Sequence, residues 1–187
     1  MAQKRKDWNG LISGFKASDL VFLDESGCNT DMTRRYAYSL GGSRAVDSAP
    51  LSKPKNTTIL LSIQLDGTLR YTTFSGGTTV ERFKRYLETD LLPHLNGNSV
   101  LIMDNMKSHH AKAVKNLLDS SGIRYIYLPP YSPDLNPIEK LWSKVKAFLR
   151  KFKARTLDAL PNAIQNAFHA VTVSDCSGWF RFCGYAL

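Results

Sequence analysis

Acidic residues and sulfur are scarce in this sequence. Its 187 residues carry 16 Asp plus Glu against 25 Lys plus Arg, a formal net charge of +9 with a pI near 9.5. Such a balance favours a polyanionic partner, and the inference gains weight where the bases cluster around functional groups. The three cysteines, Cys28, Cys176 and Cys183, cannot all pair with one another and form no CxxC unit. A disulfide scaffold or a zinc finger is therefore not expected; reduced, partly buried thiols are. No apolar run reaches the roughly 18 to 20 residues that span a bilayer. No signal-type hydrophobic region follows the basic N-terminus, and there is no internal repeat or low-complexity tract. The chain reads as cytosolic, without a membrane partner. What it has is an ordinary globular composition, 43% apolar and 11% aromatic, enough for one domain with a substantial core.

Residues 1–18 are polar and basic and read as a short helix or loose lead-in to a single domain over 19–187. Residues 20–24 form an apolar run, a buried strand, with a turn expected at 25–27 and a second strand at 34–38. The stretch 41–56, rich in Gly, Ser, Pro and Lys, reads as an exposed loop. Residues 57–65 are β-branched and apolar, a central strand. Asp66-Gly67 then turns the chain into 69–74 as a hairpin. Val80, Phe83, Leu87 and Leu91 recur at helical spacing within 79–95. A buried strand is expected at 99–104, a helix at 109–121 stopped by Gly122, and a strand at 123–128. Helices follow at 137–153 and at 156–171, the latter capped by Thr156. Strands first, then alternating helix and strand, then helices, describe an α/β sheet with helices packed on its faces.

Three carboxylates sit at the ends of these rigid elements. Asp24 ends the first strand and Asp104 ends the run Val100-Leu101-Ile102-Met103. Glu139 enters the first turn of a helix after the string Leu128-Pro129-Pro130-Tyr131-Ser132-Pro133-Asp134-Leu135-Asn136-Pro137-Ile138. Strand ends are where open α/β sheets place their sites. Two ions about 3.5–4 Å apart can activate a water or a 3′-hydroxyl and stabilise a leaving oxygen, and hard Mg²⁺ takes a few carboxylates plus water and phosphate oxygens. Each acid also has a plainer reading. Glu25 competes with Asp24, although alternation puts only one of the two on a given face. Asp104 could cap the helix after its strand. Glu139 stands three residues after the N-cap candidate Asn136, which is capping-box spacing.

The helix that carries Glu139 adds an independent signal. Ile138, Trp142, Val145, Leu149 and Phe152 make a core stripe. Glu139, Ser143, Lys146, Arg150 and Lys153 run beside it at the same spacing, so the face that presents the acid continues as a cationic track suited to a phosphate backbone. Arg34, Arg35, Lys53 and Lys55 lie in or near the 41–56 loop, a candidate contact to DNA or to a partner subunit; the plain alternative is a surface hairpin that its charges only solvate.

These residues resemble a known family. The segments Val21 through Gly27, Met32 through Tyr36, Met103 through His109 and Leu128 through Glu139 are similar to the DDE transposases of bacterial insertion sequences in the mariner superfamily, and 34 residues separate Asp104 from Glu139, as in one major branch. The resemblance implies a ribonuclease H-like mixed sheet flanked by helices. It implies Mg²⁺ or Mn²⁺, two ions, held by Asp24, Asp104 and Glu139. It also implies nicking at transposon ends followed by attack of the 3′-hydroxyl on target DNA, usually at TA. Asn105 and His109 match motif positions beside the second acid, as residues supporting the site or touching DNA; a surface histidine is the plainer reading of His109. Partners would be double-stranded DNA, a second copy in an active homodimer, and a separately encoded N-terminal half, since no helix-turn-helix module fits before Asp24. The implied location is the bacterial cytoplasm, at the nucleoid. A ribonuclease H or junction resolvase would need a different set of acids and spacing. A silent, basic DNA-binding remnant is the remaining alternative.

Overall fold

The computed structural model describes residues 2–34, 36–51 and 54–186. Helix α1 (Ala2–Ile12) precedes β1 (Leu20–Asn29), β2 (Asn56–Ile63) and β3 (Leu69–Ser75). Then come α2 (Val80–Tyr86), β4 (Val100–Met103), α3 (Lys112–Ser121), β5 (Arg124–Tyr127), α4 (Pro137–Phe152), α5 (Ala159–His169) and α6 (Val173–Phe182). The five strands lie in the order β3-β2-β1-β4-β5. The β3-β2-β1 half is antiparallel and the β1-β4-β5 half parallel. This is the expected mixed sheet, with β1 at its centre and β2, as expected, in its interior.

Alternation along β1 divides the core. Leu20 and Phe22 face a cluster built with Trp8 and helices α4, α5 and α6. Val21 and Leu23 face Phe83, Leu87 and Leu91 on the α2 side and Val114 and Leu118 of α3. The period-two pattern of a strand covered on both faces thus makes three layers, helix on sheet on helix.

Several elements differ from the sequence expectation. The chain does not turn at residues 25–27: β1 continues to Asn29, paired with β2 from Phe22↔Ile63 to Asn29↔Asn56. Among the described residues of the 34–38 segment none is in a strand. Both edges of β1 are already taken, by β2 and β4, and Tyr36 and Tyr38 are fully exposed. The helix over 79–95 starts as expected, with Thr79 Oγ1 accepting from the Arg82 amide, but it widens into a π-turn at Leu87–Leu91 and tightens into a 3₁₀ turn at Leu92–His94. Helix α3 begins at Lys112 rather than 109 and ends, as expected, on Gly122 in the left-handed region at φ 70°. Helix α5 starts at Ala159, whose amide donates to Thr156 Oγ1. Helix α6, with a capping box between Thr172 and Asp175, was not anticipated. Among the described residues no helix is long and apolar enough to cross a membrane.

Candidate active site

The parallel pairing of β1 with β4 sets Leu23 opposite Met103, so the next residues, Asp24 and Asp104, become neighbours. Glu139 arrives from the other side. The loop between β5 and α4 is tied down where Leu128 donates its amide to the Met103 carbonyl at 2.8 Å and where Asn105 Nδ2 donates to the Leu128 carbonyl. Its far end is held by the Tyr185 hydroxyl on the Leu135 carbonyl and by Arg5, from α1, on Asp134 and Ser132. Asp24, Asp104, Asn105, Tyr131, Asn136 and Glu139 line one cleft of about 470 Å³.

Each carboxylate has its own surroundings. Asp24 is 8% exposed. Its Oδ1 accepts from the Glu25 amide at 2.8 Å, and its Oδ2 accepts from Trp142 Nε1 at 3.3 Å and Asn136 Nδ2 at 3.4 Å. Burial first, then the charges of Asp104, Glu139 and Glu25, push its carboxyl up to about 7 against the opposing pull of the Glu25 amide. Asp104 is half-exposed and accepts from the Met106 amide at 2.9 Å, with His109 Nδ1 at 2.9 Å from Oδ1. Burial works against its charge, but His109 and that amide hold the carboxyl below the usual carboxylate range. Glu139 is exposed at the cleft mouth. The capping box that could have claimed it is not formed. Asn136 accepts from the Ile138 amide, but its own amide donates to the Pro133 carbonyl at 3.1 Å.

His109 is not a surface histidine. It is fully buried, stacked on Phe83 with ring centroids 4.2 Å apart, and bridges Asp104 to Glu25, whose Oε2 lies 3.2 Å from Nε2. Burial alone would lower its pKa; the hydrogen bonds and charges of the two acids push it up to about 9. Glu25 faces away from the cleft. Trp142, read as core, also serves the site. Two general signals pointed to these contacts: a buried indole N–H needs an acceptor, and an acid on the covered face of a strand needs a partner.

The basic candidates separate. Arg34 and Arg150 line one surface cavity with Tyr36 and Ala147, and Lys146 and Arg150 have no carboxylate partner among the described residues. Lys55 is exposed. Lys153 pairs with Asp47 at 2.6 Å, so the track is shorter than its spacing suggests. Phe152, expected in the core stripe, is 45% exposed. Arg35 and Lys53 lie outside the described residues.

Among the described residues no three His, Cys, Asp or Glu side chains converge into a ready cage for a metal ion. The donor chemistry nevertheless fits a hard divalent cation: oxygen ligands only, an open cleft that leaves room for water and phosphate, and a buried carboxyl, Asp24, whose charge is disfavoured until a cation offsets it.

The sequence matches the family model of the DDE superfamily endonucleases over residues 19–161. Among curated proteins it is similar to the Tc1 transposase of Caenorhabditis elegans, 29% identical over 97 residues, which is 50% of this chain and 36% of that protein. It is also similar to the Tcb2 transposase of Caenorhabditis briggsae, 31% identical over 75 residues, 40% of this chain and 28% of that protein. The matched stretches thus span about a third of these relatives. Among solved structures, the Mos1 transposase paired-end complex with the left transposon end superposes with a TM-score of 0.80 at 19% identity, covering 95% of this chain and 57% of that one. The catalytic domain of the Mos1 mariner transposase gives 0.68 at 17% identity, covering 96% and 85%. At such identities the likeness carries the fold, the ribonuclease H-like one expected.

Proposed function

The chain belongs to the DDE superfamily endonucleases, and from that premise we propose that it is the catalytic domain of a cut-and-paste DNA transposase. It would nick DNA at transposon ends and join the freed 3′-hydroxyl to target DNA at TA. The observation that carries this reading is the meeting of Asp24 from β1, Asp104 from just beyond β4 and Glu139 from α4 in one cleft. Support for DNA as substrate comes from the net charge of +9 and from the Mos1 neighbour, whose structure holds a transposon end.

Asp24, Asp104 and Glu139 would hold two Mg²⁺ or Mn²⁺ ions; Mos1 paired-end complexes have been solved with each of these metals. Bound there, the ions supply activation of the attacking water or hydroxyl and stabilisation of the leaving oxygen at the scissile phosphate. The protein's own part is orientation. Trp142 and Asn136 fix the Asp24 carboxylate, the Met106 amide and His109 fix that of Asp104, and the rigid Pro-rich loop delivers Glu139. Arg34, Lys55, Lys146 and Arg150 would follow phosphates and set no sequence preference. A homodimer on paired ends and a separate end-recognising half belong to the same proposal.

The test is Mn²⁺-dependent nicking of supercoiled plasmid by wild type, Asp104→Asn and Glu139→Gln. Nicking by wild type that both substitutions abolish, with metal-free DNA binding retained, is the expected result. Metal-induced thermal stabilisation without nicking would mean an intact site that requires the DNA-recognising half. Neither signal would overturn the proposal in favour of a silent DNA-binding remnant.

A further inference from the structure

Glu25 follows Asp24 in β1 but points through the opposite face of the sheet, toward α2 and α3. One of its oxygens, Oε2, lies 3.2 Å from His109 Nε2; the other, Oε1, is buried with no hydrogen-bond partner among the described residues. An acid so enclosed is costly unless its one contact matters. That contact leads to the cleft. Asp104 lies just beyond the end of β4, in irregular chain, and is half-exposed, so nothing in its own backbone fixes its rotamer. Two groups orient it. The Met106 amide belongs to the same irregular segment. The His109 ring, 2.9 Å from Asp104 Oδ1, is clamped between Phe83 and Glu25 and is thereby referenced to the central strand. That strand also carries Asp24.

We infer that Glu25, acting through His109, is a positioning residue that holds the Asp104 carboxylate in register with Asp24 for joint metal binding. The inference rests on the metal-dependent function proposed above. Outer partners of metal ligands typically carry about 10–100-fold in metal affinity or activity.

The test compares Glu25→Met, which keeps the volume and removes the acceptor, with Glu25→Gln, which keeps an amide oxygen for Nε2. Both are measured for metal-free melting temperature, metal-free DNA affinity, Mn²⁺-induced thermal shift and the Mn²⁺ concentration for half-maximal nicking. Glu25→Met should need roughly 10-fold or more Mn²⁺ in both metal assays, with DNA affinity unchanged, and Glu25→Gln should stay within about threefold of wild type. His109→Gln, tested alongside, should resemble Glu25→Met and serves if the Met variant does not fold. Wild-type Mn²⁺ dependence in Glu25→Met and His109→Gln would overturn the inference. So would a loss confined to metal-free melting temperature. Absence of both metal signals in wild type would instead remove the function on which it rests.

Discussion

Asp24 shows how a single side chain can serve core and cleft together. It sits in the strand face that packs on α4, and its Oδ2 receives the indole N–H of Trp142, a residue whose ring belongs to the core cluster. Trp142→Phe removes that donor while leaving most of the ring volume. It should cost about 1–3 kcal/mol, the range for a buried acceptor losing a partner, read as a lower urea midpoint with unchanged slope. Trp142→Ala, which also opens a cavity, should cost about 3–5 kcal/mol. An unchanged midpoint in Trp142→Phe would mean that the indole N–H contributes nothing. The three acids were legible in the sequence because Asp104 and Glu139 stand at the ends of rigid elements and the apolar run of β1 leads into Asp24, although that strand continues past it to Asn29. The contacts of Trp142 and Glu25 were not, since periodicity says which face a residue takes but not which polar group waits on the facing element. His109 was legible as a motif position and illegible as a buried bridge for the same reason.

At the level of elements, helix α4 separates real from apparent features of a pattern. Its apolar stripe is buried as far as Leu149, and Glu139 opens the polar face as its spacing required. The cationic run beside it is less uniform. Lys153 adopts the left-handed C-cap conformation at φ 55° and pairs with Asp47, a residue far away in sequence that no helical wheel can reveal. Lys146 and Arg150 remain as the cations available to phosphate. The double variant Lys146→Ala/Arg150→Ala should weaken DNA binding and flatten the slope of log affinity against log salt by about 2, roughly one per lost phosphate contact. Lys153→Ala should change that slope by less than half as much as either single change. An unchanged slope in the double variant would remove α4 from the DNA path. Pairing likewise explains the strand errors. The turn-like Glu25-Ser26-Gly27 is held extended by its register partners Leu60, Ile59 and Thr58 on β2, and the strand-like Tyr36 and Tyr38 lie exposed outside the sheet, β1 being already paired on both sides.

For the whole molecule, the decisive quantity is the balance between a positively charged surface and a cleft that concentrates negative charge. Lifting Asp24 to about 7 reflects a native state that holds one carboxylate in a setting unfavourable to its charge. Under the proposed function a divalent cation held by Asp24, Asp104 and Glu139 would offset that burden, and because the unfolded chain holds no such site, binding would add to folding stability. At a metal concentration about 100 times the dissociation constant the gain is about 2.7 kcal/mol, which for a domain of this size corresponds to a rise in melting temperature of roughly 5–10 °C. The rise should reverse with EDTA. The single variant Asp24→Asn should lose it, while its metal-free melting temperature stays level or climbs, since the disfavoured buried charge is gone. A thermal shift of the same size in that variant would place the ion elsewhere on the protein. A metal-free melting temperature that drops by several degrees would show that the Asp24 carboxylate stabilises the fold directly, and that the cleft is a structural junction before it is a site for catalysis.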